Sequence, residues 1–370
     1  LPKIRDIHNE VVIFGFQSNL FMASNLMEIY LKYGLFEDAQ RVFDGLGQWH
    51  LQTCSTLIMG YAEQGRWKEV LDQLDQMYMQ GISLDAAILV YGLKASGRLK
   101  AIHRSRELHA EIVKTGVDVD PYIHTSLISM YSRCDSLAEA SQLFSKELIP
   151  SVISWTALMS GYMEHGHPEQ ALCCFEHMQR NDISLDVSAL ICSLRACSSV
   201  GTVGKGHEMH TIIIKASFLE GDIIIGNTLI DMYVKFGLLA EAQDVLDKLP
   251  IRGIVAWTAL ITGYVDHGCG ENALFCYERM QNESIPADAV THLCCLAACS
   301  SIPDIVKGQE MHDVIFKKGL ETGLMIGNSL IDMYAKCGLL ASALVLFDKL
   351  EIPDIVSWNA LLAGYAQLGE

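Results

Sequence analysis

Apolar residues run along the chain in short stripes of helical spacing, each closed by a turn signal. In residues 324–354, Leu330, Ile331 and Tyr334 recur at i, i+1 and i+4, one face of a helix. Cys337-Gly338 interrupts the stripe, with glycine where a helix C-terminus favours it. A second stripe, Leu340, Ala343, Leu346, Phe347 and Leu350, runs until Pro353-Asp354 stops it. The pattern predicts two helices joined by a tight turn. Its Ala343/Phe347 pair recurs as Ala39/Phe43, Ala140/Phe144, Ala242/Leu246, Ala171/Phe175 and Ala273/Tyr277. A small residue one turn before a large one lets helices approach closely and fills the gap beside them. No alternating run is long enough to argue for a sheet.

The helical phrase is repeated. GNSLIDMYAKCGLLASALVLFDKLEIPDIVSWNALLAGYAQLG, Gly327 to Gly369, has counterparts beginning at Asn227 and Thr125 and a worn copy beginning at Ser24. The equivalent residues Ser55, Thr156, Thr258 and Asn359 stand 101, 102 and 101 residues apart. So constant a spacing marks a one-dimensional stack of small units. The units divide as 1–19 (the tail of one), 20–50, 51–85, 86–120, 121–151, 152–186, 187–222, 223–253, 254–288, 289–323, 324–354 and 355–370 (the start of one). The expected fold is all-α, a right-handed α-solenoid of antiparallel helix pairs.

Composition narrows the chemistry. Half of the residues are hydrophobic and 19% are charged, as expected when every unit buries a face on each neighbour. No run of 18 uninterrupted apolar residues occurs, so no membrane span is expected. Against 27 basic side chains stand 44 acidic ones, a formal net charge of −17, which argues against holding nucleic acid by bulk charge. Of the 12 cysteines none forms a CxxC, and several recur at equivalent places (Cys197 and Cys299, Cys134 and Cys337). They read as small core hydrophobes in a reducing compartment, with no metal and no cofactor expected. The opening residues match the end of a unit and the last ones fall within another, so a longer protein, with its targeting sequence outside this stretch, is expected.

The phrases LIDMYAKCG, DIVSWNALLAGYAQLG and GKGHEMHTIIIK resemble plant pentatricopeptide repeat proteins of the PLS subclass. On that resemblance 20–50, 121–151, 223–253 and 324–354 are S units. P units are 51–85, 152–186, 254–288 and the partial 355–370; L units are 86–120, 187–222, 289–323 and the tail 1–19. The resemblance implies binding of single-stranded organellar RNA, one base per unit, read by the fifth and last residues of each unit. The P units then supply Ser55/Asp85, Thr156/Asp186 and Thr258/Asp288, a hydroxyl–aspartate pair that resembles the guanine-selecting combination. A carboxylate is acceptor-only, and guanine's Watson–Crick edge offers N–H donors. Asn328/Asp354 resembles the uracil-preferring pair, and Asn359 opens a P unit suggesting a pyrimidine. Ser24/His50, Thr125/Ser151 and Asn227/Gly253 depart from the pattern, and the L units place Val90, Ile191 and Leu293 at the fifth position. The implied core is G-n-n-G-n-n-G-n-U. An aspartate between helices also stands where a cap belongs, and the two roles are compatible.

The second residue of a unit is implied to flank the base: Phe21, Tyr122, Ile153, Ile224, Val255, Met325 and Val356 are apolar, while Gln52 departs. Lys32, Arg133, Lys235 and Lys336 of the S units alternate with Glu63, Glu164, Asp266 and Gln367 of the P units. The former are candidate phosphate contacts; alternatively, such charges pair between neighbouring units. Trp155, Trp257 and Trp358 share the face of the Leu-Ile stripe and are expected in the core. His109-Ala110-Glu111 spells HxE, yet the other L-unit copies read HTI and HDV, so it is taken as structural and not as a zinc-deaminase site.

The expected role is a monomeric specificity factor for post-transcriptional RNA processing, foremost C-to-U editing, in a plant mitochondrion or alternatively a chloroplast. Editing-complex proteins are the further partners implied. No catalytic residue is assigned; in the family, catalysis lies in a C-terminal deaminase-like extension or a recruited partner. The competing reading is a protein-interaction scaffold that does not touch RNA, which the acidic balance favours.

Overall fold

The computed structural model describes residues 8, 10–13, 19–118, 120–147, 150–320 and 323–368, so most of the tail unit 1–19 and the last two residues lie outside the described residues. All regular structure among them is helical. The chain divides into two compact units, residues 1–192 and 193–370.

In the first unit α1 (Leu20–Lys32) pairs with α2 (Phe36–Asp44), α3 (Leu51–Glu63) with α4 (Trp67–Met79) and α5 (Ala86–Arg98) with α6 (Ile102–Thr115). Next come α7 (Pro121–Arg133) with α8 (Leu137–Phe144) and α9 (Val152–Glu164) with α10 (Pro168–Arg180). Helix α11 (Val187–Val200) carries the boundary. The second unit holds α12 (Val203–Lys215) and a single turn, α13 (Phe218–Gly221). Its pairs are α14 (Ile223–Lys235) with α15 (Leu239–Lys248), α16 (Ile254–Asp266) with α17 (Gly270–Asn282), α18 (Ala289–Ser301) with α19 (Ile305–Lys317) and α20 (Leu324–Lys336) with α21 (Leu340–Lys349). Helix α22 (Ile355–Leu368) follows. In each unit the first helices of successive pairs lie side by side, α1 to α3, α5, α7 and α9, and α14 to α16, α18, α20 and α22.

The turn inside a pair needs left-handed backbone. Gly338 supplies it between α20 and α21 at φ 78°, without a Cβ penalty. Between α7 and α8 an aspartate, Asp135, adopts φ 61° in the corresponding place, a conformation its short polar side chain tolerates. The alanines of the small–large pairs (Ala39, Ala140, Ala171, Ala242, Ala273 and Ala343) are all fully buried. Close approach between first helices depends on glycine. A Cβ on Gly60, Gly161, Gly263 or Gly364 would stand 2.4–2.6 Å from Leu31, Ser132, Val234 or Ala335 of the neighbouring helix.

Trp155 and Trp257 are buried as expected, Trp155 edge-on to Phe144 at 4.4 Å. Trp358 differs. It leans edge-on against Phe347 at 4.6 Å yet stays 53% exposed, with no later helix among the described residues packed over it. Six of the cysteines are buried and all are free thiols. Burial pushes Cys54 up to about 11 and Cys174 up to about 12. No described helix is long and apolar enough to cross a membrane.

Candidate nucleic-acid interface

Every expected reading aspartate caps the next first helix. Asp85 Oδ1 accepts the Ile88 N–H (2.8 Å), Asp186 Oδ1 that of Ala189 (2.7 Å), Asp288 Oδ1 that of Thr291 (2.8 Å) and Asp354 Oδ1 that of Ser357 (2.9 Å). The first turn of a helix has unpaired N–H groups and a positive dipole end, which hold a carboxylate in place. The capping alternative is therefore realised, and it places each carboxylate rather than consuming it: these bonds all fall on Oδ1. Burial pushes the Asp288 carboxyl up, but the Thr291 N–H and O–H bonds outweigh it and leave it below the ordinary carboxylate range. The Ser357 N–H, with the Asn328 amide, holds Asp354 down as well. Ser151 caps α9 through the Ser154 N–H (3.1 Å), whereas His50 and Gly253 make no side-chain cap.

The fifth residues sit one turn into the same helices. Ser55, Thr125, Thr156, Asn227 and Thr258 are half-buried, Ser24 and Asn328 buried, and Asn359 exposed. Asn328 Nδ2 donates directly to Asp354 Oδ1 (3.1 Å), so this pair is brought together. Thr258 reaches Asp288 through Thr291, which is 2.9 Å from the first and 2.7 Å from the second. Thr156 instead donates to its own helix at the Val152 carbonyl (2.7 Å), and Thr125 to that of Pro121 (2.8 Å). Among the described residues neither Thr156 and Asp186 nor Ser55 and Asp85 share a hydrogen bond. Of the L-unit fifth residues, Val90 is buried, and Ile191 and Leu293 are half-buried.

The flanking positions share one property. Phe21, Tyr122, Ile153, Ile224, Val255, Met325 and Val356 are apolar yet 57–71% exposed. Scattered exposed apolar residues are ordinary; here they recur at one register of the S- and P-unit first helices, with Gln52 the exception. In the first unit the parts converge on a cavity of about 630 Å³ over α5, α7 and α9. Tyr122, Thr125, Ser151, Ile153, Thr156 and Arg133 line it.

Three of the four candidate phosphate contacts are engaged. Arg133 lies 3.7 Å from Glu164 of the next first helix, the pairing between units considered above. Lys235 and Lys336 pair within their own helices, with Asp231 (2.9 Å) and Asp332 (2.7 Å). Lys32 is exposed on the last turn of α1. Exposed pairs of this kind contribute little. Lys94 and Arg98 of α5 line the same cavity and were not singled out in the sequence. Arg98 could have been: it is thirteenth in its unit, like Lys32 and Arg133. Ser154, Thr291 and Ser357, third in their units and in hydrogen-bond contact with the candidate readers Thr125, Thr258 and Asn328, were not singled out either.

The recurrent histidines prove structural. His109 Nδ1 lies 2.9 Å from the Tyr131 hydroxyl, His210 Nδ1 2.8 Å from that of Tyr233 and His312 Nδ1 2.9 Å from that of Tyr334. Each joins an L-unit second helix to the following S-unit first helix. No cluster able to hold a metal ion occurs among the described residues.

Comparison with known proteins places these features in a family. The PPR repeat family model matches residues 150–198, and the PPR repeat model matches 52–82, 122–146, 227–254, 255–285, 328–351 and 356–370. Among Arabidopsis thaliana relatives, the pentatricopeptide repeat-containing protein At4g18520, chloroplastic, is 30% identical over 365 residues, covering 99% of this chain and 59% of that protein. At1g11290, chloroplastic, is 27% identical over 365 residues, covering 99% and 45%. The chain thus spans about half the length of the relatives it matches. The crystal structure of the pentatricopeptide repeat protein PPR10 in complex with an 18-nt psaJ RNA element superposes with a TM-score of 0.80 at 16% identity, covering 97% of this chain and 55% of that one. PPR10 from maize gives 0.66 at 16% identity, covering 94% and 56%. These likenesses show an all-helical repeat solenoid.

Proposed function

The chain belongs to the pentatricopeptide repeat family, and on that premise we propose that it binds single-stranded RNA in a sequence-specific manner, as an adaptor for post-transcriptional processing of an organellar transcript. The observation that carries this reading is the coincidence, on the same first helices, of an apolar second residue more than half exposed with a polar fifth residue one turn away. A base inserted there finds apolar faces to stack on and polar atoms along its edge. The alternation of unit lengths supports the PLS subclass, and with it C-to-U editing as the process served. The two relatives described above, both named as chloroplastic, favour the chloroplast over the mitochondrion. The ion pairs on Arg133, Lys235 and Lys336 and the net charge favour the scaffold reading, which the following test separates.

The chain is offered two single-stranded RNAs at two salt concentrations, one carrying G-n-n-G-n-n-G-n-U and one with the three guanines changed to adenine. The guanine RNA is expected to bind more tightly, and the difference to shrink in Asp186→Ala/Asp288→Ala to what the Ser55/Asp85 pair alone supplies. Each substitution also removes a helix cap, at a cost of about 1 kcal/mol, so the ratio between the RNAs is the readout rather than the affinity. Equal or absent binding of both RNAs by the folded chain overturns the RNA reading in favour of the scaffold.

A further inference from the structure

Some of the fifth-position side chains are held by a residue that the two-residue reading leaves out. Ser357, wholly buried at the third place of α22, donates its hydroxyl to Asn328 Oδ1 at 2.6 Å. Its oxygen accepts the Asp354 N–H (3.1 Å) and lies 2.9 Å from Asp354 Oδ1, so its single proton serves the shorter contact. An ionised Asp354 can only accept, so the end of the Asn328 amide facing it is the NH2 group. Ser357 holds the other end, and the amide is unable to turn over.

That restraint matters because uracil and cytosine present opposite orders on the edge that would be read. Uracil sets the O4 acceptor beside the N3–H donor, whereas cytosine sets the N4–H2 donor beside the N3 acceptor. An amide free to turn suits both; one held at both ends suits a single order. The hydroxyl version is Thr258. Thr291, also wholly buried, gives its proton to Asp288 Oδ1 (2.7 Å), so in its 2.9 Å contact with Thr258 it accepts. Thr258 is left with lone pairs facing outward beside a carboxylate. Two neighbouring acceptors match the N1–H and N2–H2 donors of guanine and oppose the N1 acceptor of adenine. The chain also contains the unrestrained case. Asn227 occupies the place of Asn328, but Ala256 and Gly253 stand where Ser357 and Asp354 do, and its Oδ1 is buried without a hydrogen-bond partner.

We propose that a buried hydroxyl at the third place of the following unit, Ser357 for Asn328 and Thr291 for Thr258, is a positioning residue that sets which base each site accepts. The proposal rests on the RNA-reading function above. Its test uses the whole chain and RNAs differing only in U or C at the nucleotide facing unit 324–354. Ser357→Ala is expected to compress the U:C binding ratio by about tenfold, the worth of one well-placed hydrogen bond. Ser357→Thr keeps the ratio, and Asp354→Ala abolishes it. A ratio unchanged in Ser357→Ala but lost in Asp354→Ala overturns the positioning role and leaves the RNA reading intact. A wild-type chain indifferent to the uracil and to the guanines overturns the RNA reading itself. Should Ser357→Ala fail to fold by circular dichroism, Thr291→Val, read by the G:A ratio facing unit 254–288, decides in the same way.

Discussion

Replacing Gly161 by alanine tests the packing on which the reading surface stands. The added Cβ would lie 2.4 Å from Ser132 Cβ and 3.2 Å from Ser132 Cα, where ordinary contact begins at 3.4 Å. The nearest atoms belong to a short side chain and to backbone, so neither can swing aside. Helices α7 and α9 must therefore part by about 1 Å in an interior packed as densely as an organic crystal. Overpacking of this kind costs about 1–3 kcal/mol, whereas alanine for glycine inside a helix gains about 0.5–1 kcal/mol. At mid-range the clash wins, for a net destabilisation of about 1 kcal/mol and at most about 2.5 kcal/mol. The control has the opposite sign: Gly204, in the first turn of α12, has nothing within 4 Å of its would-be Cβ, and Gly204→Ala is expected to stabilise. A repeat stack opens locally, so amide hydrogen exchange is the suitable assay. Protection in α7 and α9 is expected to fall about fivefold, and at most about seventyfold, in Gly161→Ala, the factor that the free energy converts to. The 3.1 Å contact between Thr125 and Ser154 should loosen with it. Unchanged or higher protection would refute the claim that glycine is what permits the close approach.

Two of the histidine–tyrosine contacts, those of His109 and His210, make stability pH-dependent. Burial, with lesser help from the charges of Lys146 and Lys248 respectively, holds His109 and His210 below the ordinary imidazole value. A depressed folded pKa means that the unfolded chain binds more protons below that ordinary value, so the full contribution is present at pH 7.5 and is lost as pH falls from the ordinary imidazole value through the lowered folded one. The thermal midpoint should drop between pH 7.5 and 5.5, and less steeply in His109→Asn/His210→Asn; identical pH slopes would refute the assignment. Arg98 and Arg133, if they meet phosphates, each contribute about 0.7 to the slope of log affinity against log salt for a single strand. Arg98→Gln/Arg133→Gln should flatten that slope by about 1.4. Glu164→Gln should strengthen binding by releasing Arg133, and an unaltered slope in the arginine variant would leave both arginines a structural role only.

How much of this was legible in the chain follows from how far apart the determinants lie. The helix pairs, their small–large contacts and the turn at Gly338 are properties of a few consecutive residues, whose spacing and backbone preference act within one or two turns. Repetition then extends each local statement along the chain, which is why the family and the candidate readers could be named from phrases such as SWNAL. Trp358 shows the limit: its burial depends on whether another helix covers it, and its own neighbours in sequence do not say. The candidate readers show it more fully. Asn328 meets Asp354 and Ser357 across 26 and 29 positions, and Thr258 meets Thr291 across 33, distances over which hydrophobic periodicity carries no information. The sequence alone determined the helical repeats and the residue types each repeated position carries, because these are set by local periodicity. Which hydroxyl holds which amide, and which cation already has a carboxylate, was decided only by packing one first helix against the next, because hydrogen-bond direction depends on atoms that tertiary structure alone brings within 3 Å.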